Sequence, residues 1–368
     1  MDPLLNKIKA TLANQLTSLA ESLDISSSDR VMSLESNSNS YIIYGILLPF
    51  YIGCDTFLLP PQITKQSPEV WSRIVERHKI TCLISRAREF SWATQIQGCD
   101  ISLKCLENVV LLDGRQMTSL SYAQSASLAL AERLELDPRC VKSLITSDLG
   151  GAIGYIDLIS REANLVISRD SIQNGHVRFG QKPTLDSIEI PAHMNLLNEI
   201  QLIIVEENEA DKTHVTPLDQ SSVGQIFVKS DFFKNSVFGL ENLSKFIFGR
   251  EIEGVPGTWV NTGLTGAIVP DNAASQSETQ PDIQPTKESK LIILGQSEEV
   301  IPISSLGEAD VNLDIYTWDI LSTILSIDQS LMIFQQRCHV FSVNVAGQPR
   351  LVITAELKVN YTVRYLCV

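Results

Sequence analysis

The sequence has 368 residues, 44% of them hydrophobic and 20% charged, which is typical of a folded globular protein with more than one domain. Its formal net charge of −14 disfavours nucleic acid and anionic membranes as partners, because a negative surface repels phosphate groups. The same charge gives no long-range attraction to a polyanion such as ATP, although a helix N-terminus can still bind a phosphate locally.

The cysteines and the N-terminus indicate the cell compartment. Seven cysteines are scattered without a Cys-x-x-Cys pair, which is typical of reduced thiols in a reducing compartment. The N-terminal residues lack the apolar core of a signal peptide, and no run approaches the ~18 apolar residues that a membrane helix needs. We therefore predict a cytoplasmic protein, at most loosely associated with a membrane, with no transmembrane segment.

In the first part of the chain, predicted helices alternate with short apolar strands. Leucine and isoleucine recur at spacings of three and four from Leu5 to Leu23, which predicts an amphipathic helix over residues 3–23. Further helices are predicted over residues 41–53, 68–78 and 122–134, and strands over residues 30–34, 56–59, 81–85, 109–112 and 141–147. Apolar strands separated by helices predict an α/β fold, with a parallel sheet covered by helices that binds ligands at the rim after its strands.

After about residue 160 the pattern changes to strands joined by turns. Strands are predicted over residues 165–168, 200–205, 224–228, 259–261, 266–268 and 291–294. They indicate a smaller, mostly antiparallel layer. Residues 270–290 contain three prolines and few large apolar side chains, so we predict a mobile loop there. From residue 301 a small βαβ-like α+β piece is predicted, with a helix over 318–325 and strands over 340–345 and 351–357.

Four stretches carry a resemblance to a known family. They are residues 51–81, with the strand GCDTFLLPP and the helix and strand after it; residues 222–228 (SVGQIFV); residues 259–266 (WVNTGLTG); and residues 291–301 (LIILGQSEEVI). In this order, over roughly residues 40–357, they resemble the adenylate-forming superfamily of acyl-CoA synthetases and AMP-dependent ligases. Residues 167–178 are most similar to the fatty-acyl-AMP-ligase-like branch and its disco-interacting protein family.

The resemblance implies a division of the chain into three parts. Residues 1–160 would be the parallel α/β part of the large domain, and residues 161–295 its β-rich remainder, including the loop 270–290. Residues 296–368 would be an incomplete C-terminal subdomain after a hinge marked by Gly295 and Glu298. The sequence is thus expected to be an N- and C-terminally incomplete member, with the late lysine of the family beyond residue 368.

The family's chemistry joins a carboxylate to the α-phosphate of ATP, and several residues that it requires are missing here. No Ser/Thr/Gly-rich loop ending in lysine is present, because residues 26–29 have neither glycine nor lysine. The resemblance places the adenine and magnesium turn at Asp148, Gly150 and Gly151, without the usual Thr-Glu pair. For Asp148 a capping or solvated carboxylate is the alternative, and for the two glycines an ordinary tight turn.

The ribose-binding segment of the family corresponds to Thr262 and Gly263, where we predict a vestigial nucleotide site. The aspartate that would accept hydrogen bonds from the ribose hydroxyls is replaced by Leu264. Gln296 replaces the hinge arginine, while Glu298 retains an acidic hinge position. ATP or AMP is therefore a possible ligand only if this site is functional.

Other catalytic or metal centres are not indicated. The five histidines are isolated, no metal-ligand spacing occurs, and no Gly-x-Ser-x-Gly elbow is present, so we name no catalytic residue and no metal. The favoured hypothesis is a degenerate, non-catalytic domain that binds a protein partner or a small ligand, for which an acyl group is one candidate. The alternatives are an active fatty-acyl-AMP or acyl-CoA ligase in truncated form, and a scaffold without ligand. We also expect the strand at residues 30–34 to have an unpaired edge that another chain or a missing segment completes.

Overall fold

The protein is described by a computed structural model. It describes residues 3–34, 40–60, 62–63, 67, 69–95, 101–147, 151–159, 164–180, 182–184, 186–190, 194–198, 200–207, 215–229, 250–270, 289–304, 312–327, 333–345 and 348–357.

The main sheet has seven strands in the order β2-β1-β3-β4-β5-β6-β9. Strands β1 to β5 pair in parallel, as the sequence predicts, whereas β6 and β9 join antiparallel at one edge. The strands are β1 (Arg30–Leu34), β2 (Asp55–Leu59), β3 (Cys82–Ser85), β4 (Asn108–Leu111), β5 (Val141–Thr146), β6 (Ala152–Asp157) and β9 (Asn195–Leu196).

Helices cover this sheet on both faces. They are α1 (Pro3–Leu23), a π-helical segment (Tyr41–Leu47) that continues into α2 (Leu48–Ile52), α3 (Glu69–His78), α4 (Ala87–Ser91) and α5 (Met117–Leu134), with short 3₁₀ turns at Trp92–Gln95 and Pro138–Cys140. Successive strand residues point to opposite faces of the sheet, and each face has its own hydrophobic core. Met32 and Leu83 belong to the core beneath α3 and α5, and Val31 and Cys82 belong to the core beneath α1 and α2. The predicted parallel sheet covered by helices is confirmed.

A second, antiparallel sheet follows in the order β11-β10-β12-β14-β13, with β15 also paired to β14. Its strands are β10 (Gln201–Glu207), β11 (Val215–Pro217), β12 (Gly224–Lys229), β13 (Arg250–Ile252), β14 (Val255–Pro270) and β15 (Ser289–Gln296), and a separate hairpin pairs β7 (Leu165–Ser168), which leads into α6 (Arg169–Gln173), with β8 (Ser187–Ile190). The two strands predicted over 259–261 and 266–268 are one strand, which bulges rather than turns between them. Most of the predicted loop 270–290 lies outside the described residues, and positions 270, 289 and 290 belong to strands.

The last part consists of two hairpins and a helix. They are β16 (Val300–Ser304) with β17 (Asn312–Tyr316), then α7 (Thr317–Ile327), then β18 (Ile333–Val345) with β19 (Gln348–Leu357). Both strand pairs are antiparallel, so the predicted βαβ-like arrangement is wrong, although the α+β class is confirmed. Tyr316 and Trp318 are buried in the main core. The division of the chain at residues 160 and 295 stays a prediction.

The edge of the main sheet differs from the prediction. Strand β1 lies between β2 and β3 and pairs with both, so the expected free edge at residues 30–34 is wrong. The outer strand is β2, which follows β1 in the chain but flanks it on the far side from β3. In the described part of the chain, no helix combines the length and the apolar character that crossing a bilayer requires.

Candidate functional site

A bulge in β14 contains the predicted ribose-binding segment. Gln225 of β12 pairs with Thr265 and Phe227 pairs with Asn261, so Thr262, Gly263 and Leu264 together face one residue of β12. Gly263 has a φ of 72°, a left-handed conformation that favours glycine. The bulge therefore explains why a glycine is required in the middle of this strand.

The polar groups of the bulge are engaged in holding its own shape. The hydroxyl of Thr262, which is fully buried, donates to the Ile226 carbonyl at 2.7 Å and accepts from the Leu264 amide at 3.2 Å. The side chain of Asn261 donates to Gln225 Oε1 and accepts from the Gly263 amide, each at 2.8 Å. These bonds make Thr262 and Asn261 structural residues of the strand.

Leu264 points into the protein interior. Its side chain is fully buried within the main hydrophobic core. On the neighbouring strand its direct partner is Gln296 of β15. At the position where the resemblance implies a ribose-binding aspartate, the side chain is thus a leucine packed in the core. Gln296, which stands at the position of the hinge arginine, lies directly beside it.

The predicted hinge begins at Gly295, which has a φ of 126°. A Cβ atom at this position would lie 3.1 Å from Glu299 Oε2 and 3.3 Å from Trp318 Cδ1. The following 3₁₀ turn, Ser297–Glu299, forms a capping box with Gln296. The backbone N–H of Gln296 donates to Glu299 Oε2 at 3.3 Å.

Of the two adjacent glutamates, Glu298, which is predicted to mark the hinge, is exposed, whereas Glu299, which the sequence did not single out, is partly buried. The role of Glu298 at a hinge stays a prediction. Burial raises the pKa of Glu299, while the Gln296 amide and the nearby Arg115 guanidinium act in the opposite direction. Two adjacent glutamates look equivalent in a sequence. Only the capping-box spacing from Gln296 to Glu299 could have distinguished them.

The predicted adenine turn joins β5 to β6. The Ser147 amide donates to the Gly151 carbonyl at 2.8 Å, and the Gly151 amide donates to Ser147 Oγ at 3.2 Å. Asp148 and Gly150 lie outside the described residues. Gly151 is buried, which fits the tight-turn alternative as well as close approach to a ligand.

Behind this turn lies a buried polar network that the sequence did not predict. The Ala152 amide donates to the Tyr44 hydroxyl at 2.6 Å, and the Ala152 carbonyl accepts from Gln15 Nε2 at 3.4 Å. The Tyr44 hydroxyl in turn donates to Gln15 Oε1 at 3.4 Å. The π-helical segment and α1 therefore fix the first residue of β6 through their side chains.

Charged side chains lie on the loops that follow β3 and β4, at the rim where α/β sheets bind ligands. Asp113 accepts from the Ala87 amide at 2.9 Å and lies 3.8 Å from the Arg86 guanidinium, and the neighbouring Arg88 pairs with Glu89 at 3.0 Å. Burial raises the pKa of Asp113, and the Ala87 amide and Arg86 counteract this effect. Asp113 therefore serves mainly to hold the start of α4 against β4.

The predicted site residues fall into two groups. Thr262 and Gly263 lie on β14, just before the residues that pair with β15; Gly295 lies on β15, and Glu298 lies in the 3₁₀ turn that follows it. Gly151 lies in the turn between β5 and β6 of the main sheet, and its hydrogen bonds go to Ser147. Within the described ranges, no cluster of three His, Cys, Asp or Glu residues could hold a metal ion.

The same arrangement of strands and helices is found in known structures. A fatty acid AMP ligase from Legionella pneumophila superposes over 95% of this chain with a TM-score of 0.61 and 14% sequence identity. A multidomain structure with the adenylation domain of a keto acid-selecting NRPS module superposes over 95% of this chain with a TM-score of 0.70 and 13% identity. The chain has the fold of the adenylate-forming ligases. It covers 55% of the Legionella protein and 26% of the NRPS chain.

Sequence comparison supports the predicted branch of this adenylate-forming fold. Disco-interacting protein 2 of Drosophila melanogaster is 23% identical over 345 residues, which cover 85% of this chain. The human Disco-interacting protein 2 homolog A is 22% identical over 374 residues, which cover 94% of this chain. The chain spans 18% and 21% of the length of these two curated relatives. No family model matches the chain.

Proposed function

We propose that this chain is a non-catalytic domain with the adenylate-forming fold, which acts by binding an acyl ligand or a protein partner. The observation that carries the proposal is the complete burial of Leu264 in the main core. A leucine side chain cannot accept a hydrogen bond from a ribose hydroxyl. Placing two ribose hydroxyls against it without partners would cost about 1–3 kcal/mol for each hydroxyl.

Two further features support the proposal. The neighbouring polar side chains of the bulge, Thr262 and Asn261, already bond to groups within the sheet. Gln296 is neutral where the family has an arginine, so it cannot supply a positive charge to a nucleotide. Losing one electrostatic group of this kind commonly lowers a catalytic rate about 10²–10³-fold. ATP therefore does not fit the described residues of this site well.

The test is carboxylate-dependent exchange of pyrophosphate into ATP with a panel of fatty acids. The Legionella fatty acid AMP ligase is the positive control, and heat-denatured protein is the negative control. We expect exchange at the level of the denatured sample. In parallel, calorimetric titration with ATP, AMP and a long-chain fatty acid separates nucleotide binding from acyl binding.

The second candidate is an active fatty-acyl-AMP or acyl-CoA ligase. It is supported by the names of structural neighbours, one of which is a fatty acyl-adenylate ligase from L. pneumophila in complex with acyl adenylate and pyrophosphate. Exchange clearly above the denatured control would establish this alternative and refute the non-catalytic proposal. The free cysteines among the described residues support a cytoplasmic location under either proposal.

A further inference from the structure

Most of the exposed large hydrophobic side chains of the described residues lie in one stretch of the chain. Six of the ten exposed large hydrophobic side chains of the described residues fall between positions 42 and 63. We call the helix–edge surface the set formed by Ile42, Leu47, Phe50 and Tyr51 on the helical segment 41–52 and by Leu58 on β2. Phe50 is 60% exposed and Leu58 is 47% exposed, so about half of each side chain or more is in contact with solvent.

The helical part of this surface has no charge. No Asp, Glu, Lys or Arg occurs from Ser40 to Cys54. Such a helix, apolar all around, is normally buried on all sides. Here Tyr41, Tyr44 and Leu48 pack into the core, but the opposite side of the same helix faces solvent. An uncovered apolar helix face indicates contact with another molecule.

The adjacent strand β2 restricts what that molecule can be. Among the described strands, β2 pairs with β1 alone, so the N–H and C=O groups of its other edge lack a strand partner. The hydrocarbon of a lipid bilayer cannot satisfy backbone hydrogen bonds, whereas a polypeptide strand can. The surface therefore fits a protein that adds a strand beside β2 and covers the helix at the same time.

A second copy of this chain meets both requirements. Two β2 strands that pair antiparallel are related by a two-fold axis perpendicular to the sheet, and this axis keeps each face of the sheet on the same side in both copies. The helical segments 41–52 of the two copies then lie on the same side and face each other across the new strand pair. The apolar side chains of one copy cover those of the other.

The charges are compatible with this arrangement. In the register centred on Phe57, Asp55 of each copy lies opposite Leu59 of the other, so no like charges meet. Asp55 also lies 3.9 Å from Arg30 in its own chain. The net charge of −14 repels two copies over most of the surface, and the uncharged helix–edge surface avoids that repulsion. We propose that the helix–edge surface is a homodimer interface in which β2 strands pair across a two-fold axis.

Sedimentation equilibrium of the full chain, from low micromolar to hundreds of micromolar, tests this proposal. We expect a monomer–dimer equilibrium. Leu58→Lys, on the pairing strand, and Phe50→Glu, on the helix, should each raise the dissociation constant by more than about tenfold. Leu128→Lys is the matched control, because Leu128 is 49% exposed on α5, outside the helix–edge surface, and should leave the constant unchanged. Circular dichroism of each variant checks that it is folded.

Two results would overturn the homodimer. One is a wild-type protein that stays monomeric over the whole range. The other is a dimer that Leu58→Lys and Phe50→Glu do not weaken. Co-sedimentation with phosphatidylcholine vesicles is a third readout: binding by a monomeric wild type that Phe50→Glu abolishes would assign the surface to lipid instead. Dimerisation through this surface does not depend on whether the chain activates carboxylates. Pyrophosphate exchange can therefore refute the non-catalytic proposal without affecting the homodimer, and sedimentation can refute the homodimer without affecting the non-catalytic proposal.

Discussion

Leu264 and Gln296 are direct cross-strand neighbours in the antiparallel pair of β14 and β15. They are also the two positions at which the chain departs from the ribose-binding aspartate and the hinge arginine of the family it resembles. Two changes in one contact are expected to be interdependent, because a carboxylate at one position would need a cation at the other. Variants at the two positions, made singly and together, test whether their effects on the free energy of unfolding depend on each other.

Leu264→Asp should destabilise the protein strongly. An uncompensated carboxylate in the core would cost about 3–5 kcal/mol of the free energy of unfolding. Leu264→Met, which nearly conserves the volume, should cost less than about 1.5 kcal/mol. Urea denaturation of both variants measures the difference. A well-folded Leu264→Asp variant of unchanged stability would mean that this position faces an open polar site.

The double variant Leu264→Asp/Gln296→Arg tests the interdependence. If the two side chains can pair across the strands, the arginine should recover a measurable part of the stability lost with aspartate alone, on the order of 0.5–3 kcal/mol. Gln296→Arg alone is the control that completes the cycle. Strictly additive changes in the free energy of unfolding would contradict a direct interaction between the two positions.

Thr262→Val should destabilise the bulge of β14. The substitution keeps the shape but removes the donor to the Ile226 carbonyl and the acceptor for the Leu264 amide, both within a buried region. Each unsatisfied group should cost about 1–3 kcal/mol. Thr262→Ser keeps the hydroxyl and should retain most of the stability. Equal losses in the two variants would show that the methyl group of Thr262, and not its hydrogen bonds, is important.

Glu299 should make stability depend on pH. Because burial raises its pKa, the folded protein holds the proton more tightly than the unfolded chain. The free energy of unfolding should therefore fall as pH rises from the ordinary glutamate value of about 4.3 to the raised value in the fold. Glu299→Gln should reduce this fall and Glu298→Gln, at the exposed neighbour, should not. Urea denaturation across the weakly acidic range compares them, and identical pH profiles for all three proteins would refute the assignment.

The contact between Arg169 and Asp319 should stabilise the part of the chain after residue 295. Arg169 Nε donates to Asp319 Oδ2 at 2.6 Å and Nη2 donates to Oδ1 at 2.9 Å, and both side chains are largely shielded, at 27% and 12% exposure. Asp319→Asn removes the charge and should cost about 1–3 kcal/mol. Arg139→Gln, which breaks the exposed Arg139–Asp137 pair, is the control and should cost less than about 1 kcal/mol. Equal effects on the thermal midpoint would argue against a special role for Arg169.

The sequence was sufficient to predict the parallel sheet, because a strand buried on both faces is a short apolar run that helices must flank. Strand β1 shows the limit of this reasoning. Its residues correctly predict a buried strand. The order of strands, however, depends on where the connection after each strand places the next one, and residues 30–34 alone do not determine this. The outer position was therefore assigned to β1, whereas among the described strands it is β2 that lies at this end of the sheet.

The roles of the candidate site residues stay predictions, and the structure shows where these residues lie. Motif resemblance selected Thr262, Gly263 and Gly295 as site residues, and the structure shows that they lie on two strands that pair with each other. It could not reveal that the segment 262–264 is a bulge, since a bulge depends on how many residues the partner strand offers. Nor could it reveal that Tyr44 reaches Ala152, because no local pattern links residues 108 positions apart.

The hydrogen bond from Gln15 to Ala152 spans 137 residues, and it has a consequence for how the chain folds as it leaves the ribosome. Helix α1 is synthesised before the strands of the main sheet, and the strand residue that its side chain contacts is synthesised only after β1 to β5. Until then the apolar stripe of α1 lacks one of its final partners. Nascent chains halted before residue 152 should therefore recruit hydrophobic-binding chaperones through α1, and those halted well beyond it should release them.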